Sequence, residues 1–431
     1  MKIKNIVKHD LFKSSLIYTI CDATNKAVPF FILPILSHYL LPADYGVVAN
    51  FGVFTGIVAL LISVNIDGAI SVNYHRLNHQ ELRVYVFNAL LICFCSFFIL
   101  IFLGFLLRSW IYGIINIPFE YQFLGIIMCL MNLFTTLNLA LWRQEEKPLY
   151  FGIYEITNTV FNLLASVIFV IILKLNWEGR ISAMLLTSFC YGLISIYFLF
   201  KRKYIKITFK KKYFIDALLF GLPLIPHSIS FWIRSGIDRA IITKFWGTES
   251  VGLYSTGFLF GTFISFLVGA FNNAYSPYLY KTLSNNNKEE LKSSKYRLVR
   301  MTYYIMFGLI ISGVFFMFLS YFILKYLFDE RYWEAREYIY WAIAAQVGQG
   351  FYIMFVNYIF YSRKTKQLAY ITFSCAICHA IISFFLVQYS GPIGAAYSSV
   401  IISFLNFVIV AIYSSRVYKM PWNLLKFRKT L

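Results

Sequence analysis

The chain has 431 residues, of which 59% are hydrophobic and only 13% charged, and its mean hydropathy is +0.67. Soluble domains are about 25% charged, so the composition excludes a soluble domain and reads as an integral membrane protein. The formal net charge of +20 at pH 7 requires either an anionic partner or a membrane-topology explanation.

Apolar runs of about 20 residues, the length that crosses a bilayer as a helix, recur from end to end. They predict twelve spans, near residues 14–37, 44–66, 84–107, 121–142, 149–173, 181–200, 214–243, 251–274, 298–324, 338–361, 367–387 and 393–415. The fold class is therefore all-α, a polytopic membrane protein. The basic residues 1–13 lead straight into span one, whose charges, two prolines and lack of a small-residue cleavage site predict a retained helix, not a signal peptide.

Within span one, Asp22 and Lys26 are spaced i,i+4 on one face. Span two ends at Asp67 beside Asn65, and span five begins at Glu155 with Asn158 and Asn162 on the same stripe. Each of these two acids reads either as an interfacial carboxylate or as the carrier of a coupling H+ or Na+. In span seven, "WIRSGIDRAIITKFWGTESVGLYS" (232–255) places Arg234, Asp238 and Arg239 at lipid depth. Ionised side chains there cost several kcal/mol and survive only against a partner or a water-filled cavity. Arg234 and Asp238 repeat the i,i+4 spacing of Asp22 and Lys26. Each pair reads as an internal ion pair, as a polar cavity lining, or as both. Arg239 has Ser235 and Thr243 at i±4 instead of an acid, and either snorkels to the interface or faces the cavity. Spans one and seven also carry proline pairs, Pro29 with Pro34 and Pro223 with Pro226, which bend helices. In span eleven, "CAICH" (375–379) has the spacing of a c-type haem attachment site. Its position in mid-span assigns it to a packed helix. The seven cysteines all fall in predicted spans and read as small packing residues.

With the N-terminus inside, the inner segments hold 29 of the 39 Lys and Arg, the outer loops seven (Arg180 among them), and the spans three: Lys26, Arg234 and Arg239. This asymmetry puts both termini in the cytoplasm and accounts for most of the basicity without nucleic acid. No inter-span segment is long enough for a catalytic domain, and the chain has no GxxxxGK, HExxH, DxD or GxSxG motif. An enzyme is not expected, nor a bound metal.

The halves resemble each other. "ILSHYLLPADYGVVAN" (35–50) aligns without gaps on "IITKFWGTESVGLYST" (241–256) at an offset of 206 residues, pairing Gly46 with Gly252 and Asn50 with Thr256; "NHQEL" (78–82) pairs with "NKEEL" (287–291). Two six-helix lobes, residues 1–205 and 206–431, are expected, related by an axis along the membrane normal and rocking to alternate access.

"GLPLIPHSISFWIRSGIDRAIITKFWGTESVGLYS" (221–255) and "LPILSHYLLPADYG" (33–46) resemble the span seven–eight and span one–two signatures of bacterial Wzx-type polysaccharide flippases. These belong to the multidrug/oligosaccharidyl-lipid/polysaccharide (MOP) exporter superfamily, with a MATE-like fold. The resemblance covers the whole chain in length, span count and repeat, and is residue-specific in those two stretches. It implies movement of an undecaprenyl-diphosphate-linked oligosaccharide, an O-antigen or capsule repeat unit, across the cytoplasmic membrane. It implies ion coupling by H+ or Na+, no other cofactor, and polysaccharide polymerase and chain-length proteins as partners. On this resemblance Arg234, Lys26 and Arg239 are the candidates for the diphosphate, with Asp22, Asp238, Glu155 and Asp67 as charge partners or ion carriers. The alternatives are a cation-coupled drug antiporter, which favours acids in its cavity, an O-antigen polymerase or ligase, which favours a large outer loop, and a structural membrane subunit.

Overall fold

The computed structural model describes residues 30–284 and 287–423, together with Cys21, Thr24 and Val28. Asp22 and Lys26 lie outside the described residues. All regular structure among those described is helical. The end of a first helix, α1, covers residues 30–37. It is followed by α2 (Pro42–Ser63), α3 (Ile66–Tyr74), α4 (His79–Ile115), α5 (Phe119–Gln144), α6 (Pro148–Val167), a π-helical turn (Ile168–Ile172), α7 (Asn176–Lys201) and α8 (Lys211–Gly221). A 3-10 turn (Leu222–Leu224) then leads into α9 (Ile225–Leu283), α10 (Lys288–Leu327), a second 3-10 turn (Glu330–Ala335), α11 (Arg336–Tyr361), α12 (Thr365–Ser390) and α13 (Ile393–Val417).

Ten helical stretches of the described chain are long and apolar enough to cross a membrane. One of them, Lys211–Leu283, is 73 residues long and holds both predicted spans seven and eight. The outer loop expected between those spans is reduced to a break at Gly247, whose φ of 78° only glycine adopts without strain. The loop expected near 108–120 is likewise mostly helix, because α4 runs to Ile115 and turns through a left-handed Asn116. Asp67 does not end span two. Val64 and Asn65 are both left-handed, φ 45° and 51°, and break the chain there, so Asp67 sits in the first turn of the separate helix α3.

The helix starts follow from local chemistry. Pro42 opens α2 and Pro148 opens α6, where a missing N–H costs nothing. The Asp44 carboxylate accepts from the Leu41 N–H at 3.0 Å. Asn78 caps α4 by accepting from the Glu81 N–H, and Asn287 caps α10 by accepting from the N–H groups of Glu289 and Glu290. These are the asparagines that the sequence pairs in NHQEL and NKEEL. Each starts a long helix, of 37 residues for α4 and 40 for α10.

The chain forms two compact units, Met1–Gly252 and Leu253–Leu431. In the first, α5 packs most heavily on α7 and α2, and Phe51, Ile126, Leu133 and Leu137 are buried in the core. The outward face of α4 shows Phe98, Phe102, Phe105 and Trp110, an apolar surface that belongs in lipid. In the second unit α11 packs against α13, and Phe307, Phe315 and Phe318 of α10 are exposed in the same way. The CAICH segment is helical within α12. His379 is buried, with the Ser398 hydroxyl 3.4 Å from its Nδ1.

Within the first unit, the paired repeat segments touch. A Cβ added to Gly46 would overlap the Thr248 carbonyl oxygen, and one added to Gly252 would overlap the Pro42 carbonyl oxygen. Thr248 and Pro42 are themselves repeat partners at the offset of 206, so each segment presents the same two positions to the other. Next to this crossing the Asn50 amide donates to the Thr243 hydroxyl at 2.7 Å and the Ile115 carbonyl at 2.9 Å.

Candidate functional site

The end of α6 departs from α-helical geometry. Its π-turn takes up an extra residue, and Leu173 and Leu175 return N–H bonds to the Ile168 and Phe169 carbonyls at 2.9 and 3.0 Å. Lys174 and Asn176, both at positive φ, reverse the chain. Gly179 then lies directly on the Phe169 backbone, where a Cβ would come within 2.9 Å of the carbonyl carbon and oxygen. This tight return drops the next residue, Arg180, beside the polar stripe of α6.

Arg180 Nη1 donates to Asn162 Oδ1 at 2.8 Å and to Ser166 Oγ at 2.7 Å. The Asn162 amide continues to the Thr187 hydroxyl of α7 at 3.3 Å. Arg180, Asn162 and Thr187 line a cavity of about 270 Å³ between α5, α6, α7 and Val28 of the first span, which also receives Asn132, Asn158 and Ser188. The Tyr45 phenol of α2 lies within electrostatic range of both Arg180 and Arg239. Glu145 pairs with Lys147 and with Arg202, and Asp329 with Arg331, whereas Arg180 forms no ion pair with a described residue. A guanidinium in this setting can hold an anion, and the amides and hydroxyls around it match sugar hydroxyl groups.

The sequence-derived candidates lie as follows. Asn158 and Asn162 share the cavity, as their common stripe implied, and Glu155 is half-buried one turn before them on α6. Asp238 is 4% exposed, Arg234 is half-buried, and each has an interaction partner. Trp232, two residues before Arg234 on α9, donates from Nε1 to the Val53 carbonyl at 2.9 Å and packs on Gly56, docking this part of α9 against α2. Arg239 Nη1 donates to the Ser235 carbonyl at 2.6 Å. Asp67 is half-buried on α3, away from the Arg180 cavity lining. Sequence reasoning missed Arg180 because it counted the residue as an outer-loop cation. The signal that could have found it was its position immediately before the apolar run that begins at Ile181.

A second cluster closes the opposite ends of α5 and α7. Arg202 Nη1 lies 2.9 Å from Glu145 Oε1, and its guanidinium carbon is 4.8 Å from the Trp142 ring centre. Arg202 also donates to Asn138. The Tyr204 hydroxyl donates to Glu145 Oε1 at 2.6 Å, and Lys147 reaches Oε2 at 2.8 Å. Burial acts to raise the Glu145 carboxyl, but hydrogen bonds from Lys147 and Tyr204 and the charges of Arg202 and Lys147 outweigh it and hold the group below its ordinary value.

These features define an all-α polytopic membrane protein of the MATE/MOP type, and comparison with solved structures shows the same fold. An inward-facing MATE multidrug transporter of the MOP superfamily superposes with a TM-score of 0.71 at 16% identity, over 94% of this chain and 96% of that one. The lipid II flippase MurJ, in an inward closed conformation, gives a TM-score of 0.71 at 16% identity, over 96% and 90%. The chain belongs to the polysaccharide biosynthesis protein family, whose model matches residues 11–283; the MatE model matches residues 223–385. Lsg locus putative protein 1 of Haemophilus influenzae is 24% identical over 380 residues, 86% of this chain and 89% of that protein.

Proposed function

We propose that the chain is a Wzx-type flippase that moves an undecaprenyl-diphosphate-linked oligosaccharide, an O-antigen or capsule repeat unit, from the cytoplasmic to the outer leaflet of the cytoplasmic membrane by alternating access. The observation that carries this reading is the Arg180 cavity, a fixed cation among amides and hydroxyls inside a helical transporter bundle. The family match and the presence of a lipid II flippase among proteins of the same fold support it. A guanidinium in the cavity disfavours the drug-cation antiporter, since like charges repel at short range in low dielectric. The function is transport without covalent chemistry. Arg234, Lys26 and Arg239 are assigned to the diphosphate. Asp22, Asp238, Glu155 and Asp67 are assigned to balancing that charge or carrying a coupling H+ or Na+. Polysaccharide polymerase and chain-length proteins are the expected partners.

The test is reconstitution into proteoliposomes with a fluorescent lipid-linked oligosaccharide, followed from leaflet to leaflet. Wild type is expected to accelerate the transfer, and Arg234→Ala to abolish it at normal abundance. Arg234→Lys should retain more activity than Arg234→Gln if charge is what matters. Transport by Arg234→Gln at the wild-type rate removes Arg234 from the site. Failure of wild type to move the lipid, together with uptake of an organic cation, replaces the flippase reading with the antiporter.

A further inference from the structure

The geometry points to the α5–α6–α7 cavity as a subsite for one acidic monosaccharide, with Arg180 holding its carboxylate and the neighbouring amides its ring hydroxyls. This deepens the flippase reading and depends on it only for the identity of the transported molecule. Four observations converge. First, an arginine within a membrane-spanning helix is costly and by default functional, and among the described residues no carboxylate lies within ion-pair distance of Arg180. Secondly, the arginine is held in place. Nη1 is anchored by Asn162 and Ser166, and the Gly179–Phe169 contact fixes the turn beneath it, so the rest of the planar fork is pre-set for a carboxylate.

Thirdly, polar groups are left over. Asn132 and Asn158 both line the cavity, and neither makes a side-chain hydrogen bond to a described residue. Amides that neither cap a helix nor bridge two elements gain nothing for the fold and suit the hydroxyls of a sugar ring. Fourthly, the size is limiting. At about 270 Å³ the cavity is below the roughly 300–1,000 Å³ of pockets for drug-sized ligands, so it takes one ring of an oligosaccharide. One cation matches the single charge of a carboxylate, whereas a diphosphate calls for several. The competing explanation is that Arg180 merely staples α6 to α7.

The experiment uses the full-length protein in nanodiscs, titrated with glucuronate, glucose or inorganic phosphate and followed by thermal shift. Wild type is expected to be stabilised saturably by glucuronate, by glucose at least about tenfold more weakly because it lacks the charge-assisted hydrogen bond, and by phosphate more weakly because it lacks ring hydroxyls for Asn132 and Asn158. Arg180→Gln should lose the glucuronate response. Asn158→Leu, which removes no internal hydrogen bond, should weaken it with the arginine intact, and this guards against an Arg180→Gln protein that fails to fold. No glucuronate response in wild type, an equal response to phosphate, or a response unchanged in both variants overturns the subsite. A transport arm separates this from the parent reading, using two lipid-linked oligosaccharides that differ by one acidic sugar. Faster transport of the acidic one, lost in Asn158→Leu, supports the subsite. Equal transport of both overturns the subsite alone, and transport of neither overturns the flippase.

Discussion

At the scale of single residues, the side chains that hold this protein together are separable from those assigned to its cargo. Glu145 belongs to the first kind. It is the shared acceptor for Arg202, Tyr204 and Lys147, and removing its charge leaves the mostly buried Arg202 guanidinium without its carboxylate. Glu145→Gln should therefore destabilise the protein by about 1–3 kcal/mol, whereas Lys147→Ala should cost little, because that lysine is 48% exposed. The pH dependence has a definite sign. The folded-state pKa lies below the unfolded one, so the contribution is present above the unfolded value of about 4.3 and is lost as the pH falls through the lower folded value. Thermal unfolding at neutral and acidic pH should show a smaller acid-induced loss in Glu145→Gln than in wild type. An equal loss in both would assign acid sensitivity to other groups.

At the scale of elements, the contact between α2 and the second half of α9 depends on two glycines. Gly46 and Gly252 each lie against a carbonyl four residues before the other, so the backbones touch with no side chain between them. Small residues spaced by four permit such approach in membrane helices. Alanine at either position cannot be accommodated without separating the helices, and because both glycines serve one crossing, the double variant should be little worse than either single one. Gly46→Ala and Gly252→Ala are each expected to abolish transport in proteoliposomes. Gly52→Ala, whose added methyl meets nothing within 4 Å, should transport normally. Wild-type transport by Gly46→Ala would show that the crossing has no part in the cycle.

At the scale of the whole molecule, the expected topology can be tested directly. A cysteine replacing the exposed Lys206 should be labelled only from the cytoplasmic side, and one replacing the exposed Lys244 only from outside. The bias of Lys and Arg toward inner segments becomes sharper in the structure, since Arg180 moves from the outer loops into a helix. The reverse labelling pattern in intact cells would invert the assignment of both termini.

The amino-acid sequence by itself determined the all-helical membrane architecture, because apolar runs of bilayer length have no other stable solution than a helix. It also showed two pairs of similar segments, whose asparagines cap α4 and α10 and whose glycines meet at one crossing. The stripe of Glu155, Asn158 and Asn162 was legible as well, since helical periodicity alone puts those residues on one face. The tertiary structure decided what periodicity cannot encode. The π-turn, the reversal at Lys174 and the Gly179 contact carry Arg180 from an apparent loop into the cavity, and the Arg202–Glu145 pair joins residues 57 positions apart. Hydropathy reports how far a segment wants to leave water, whereas the direction of a cation at a helix start is set by the backbone it packs against.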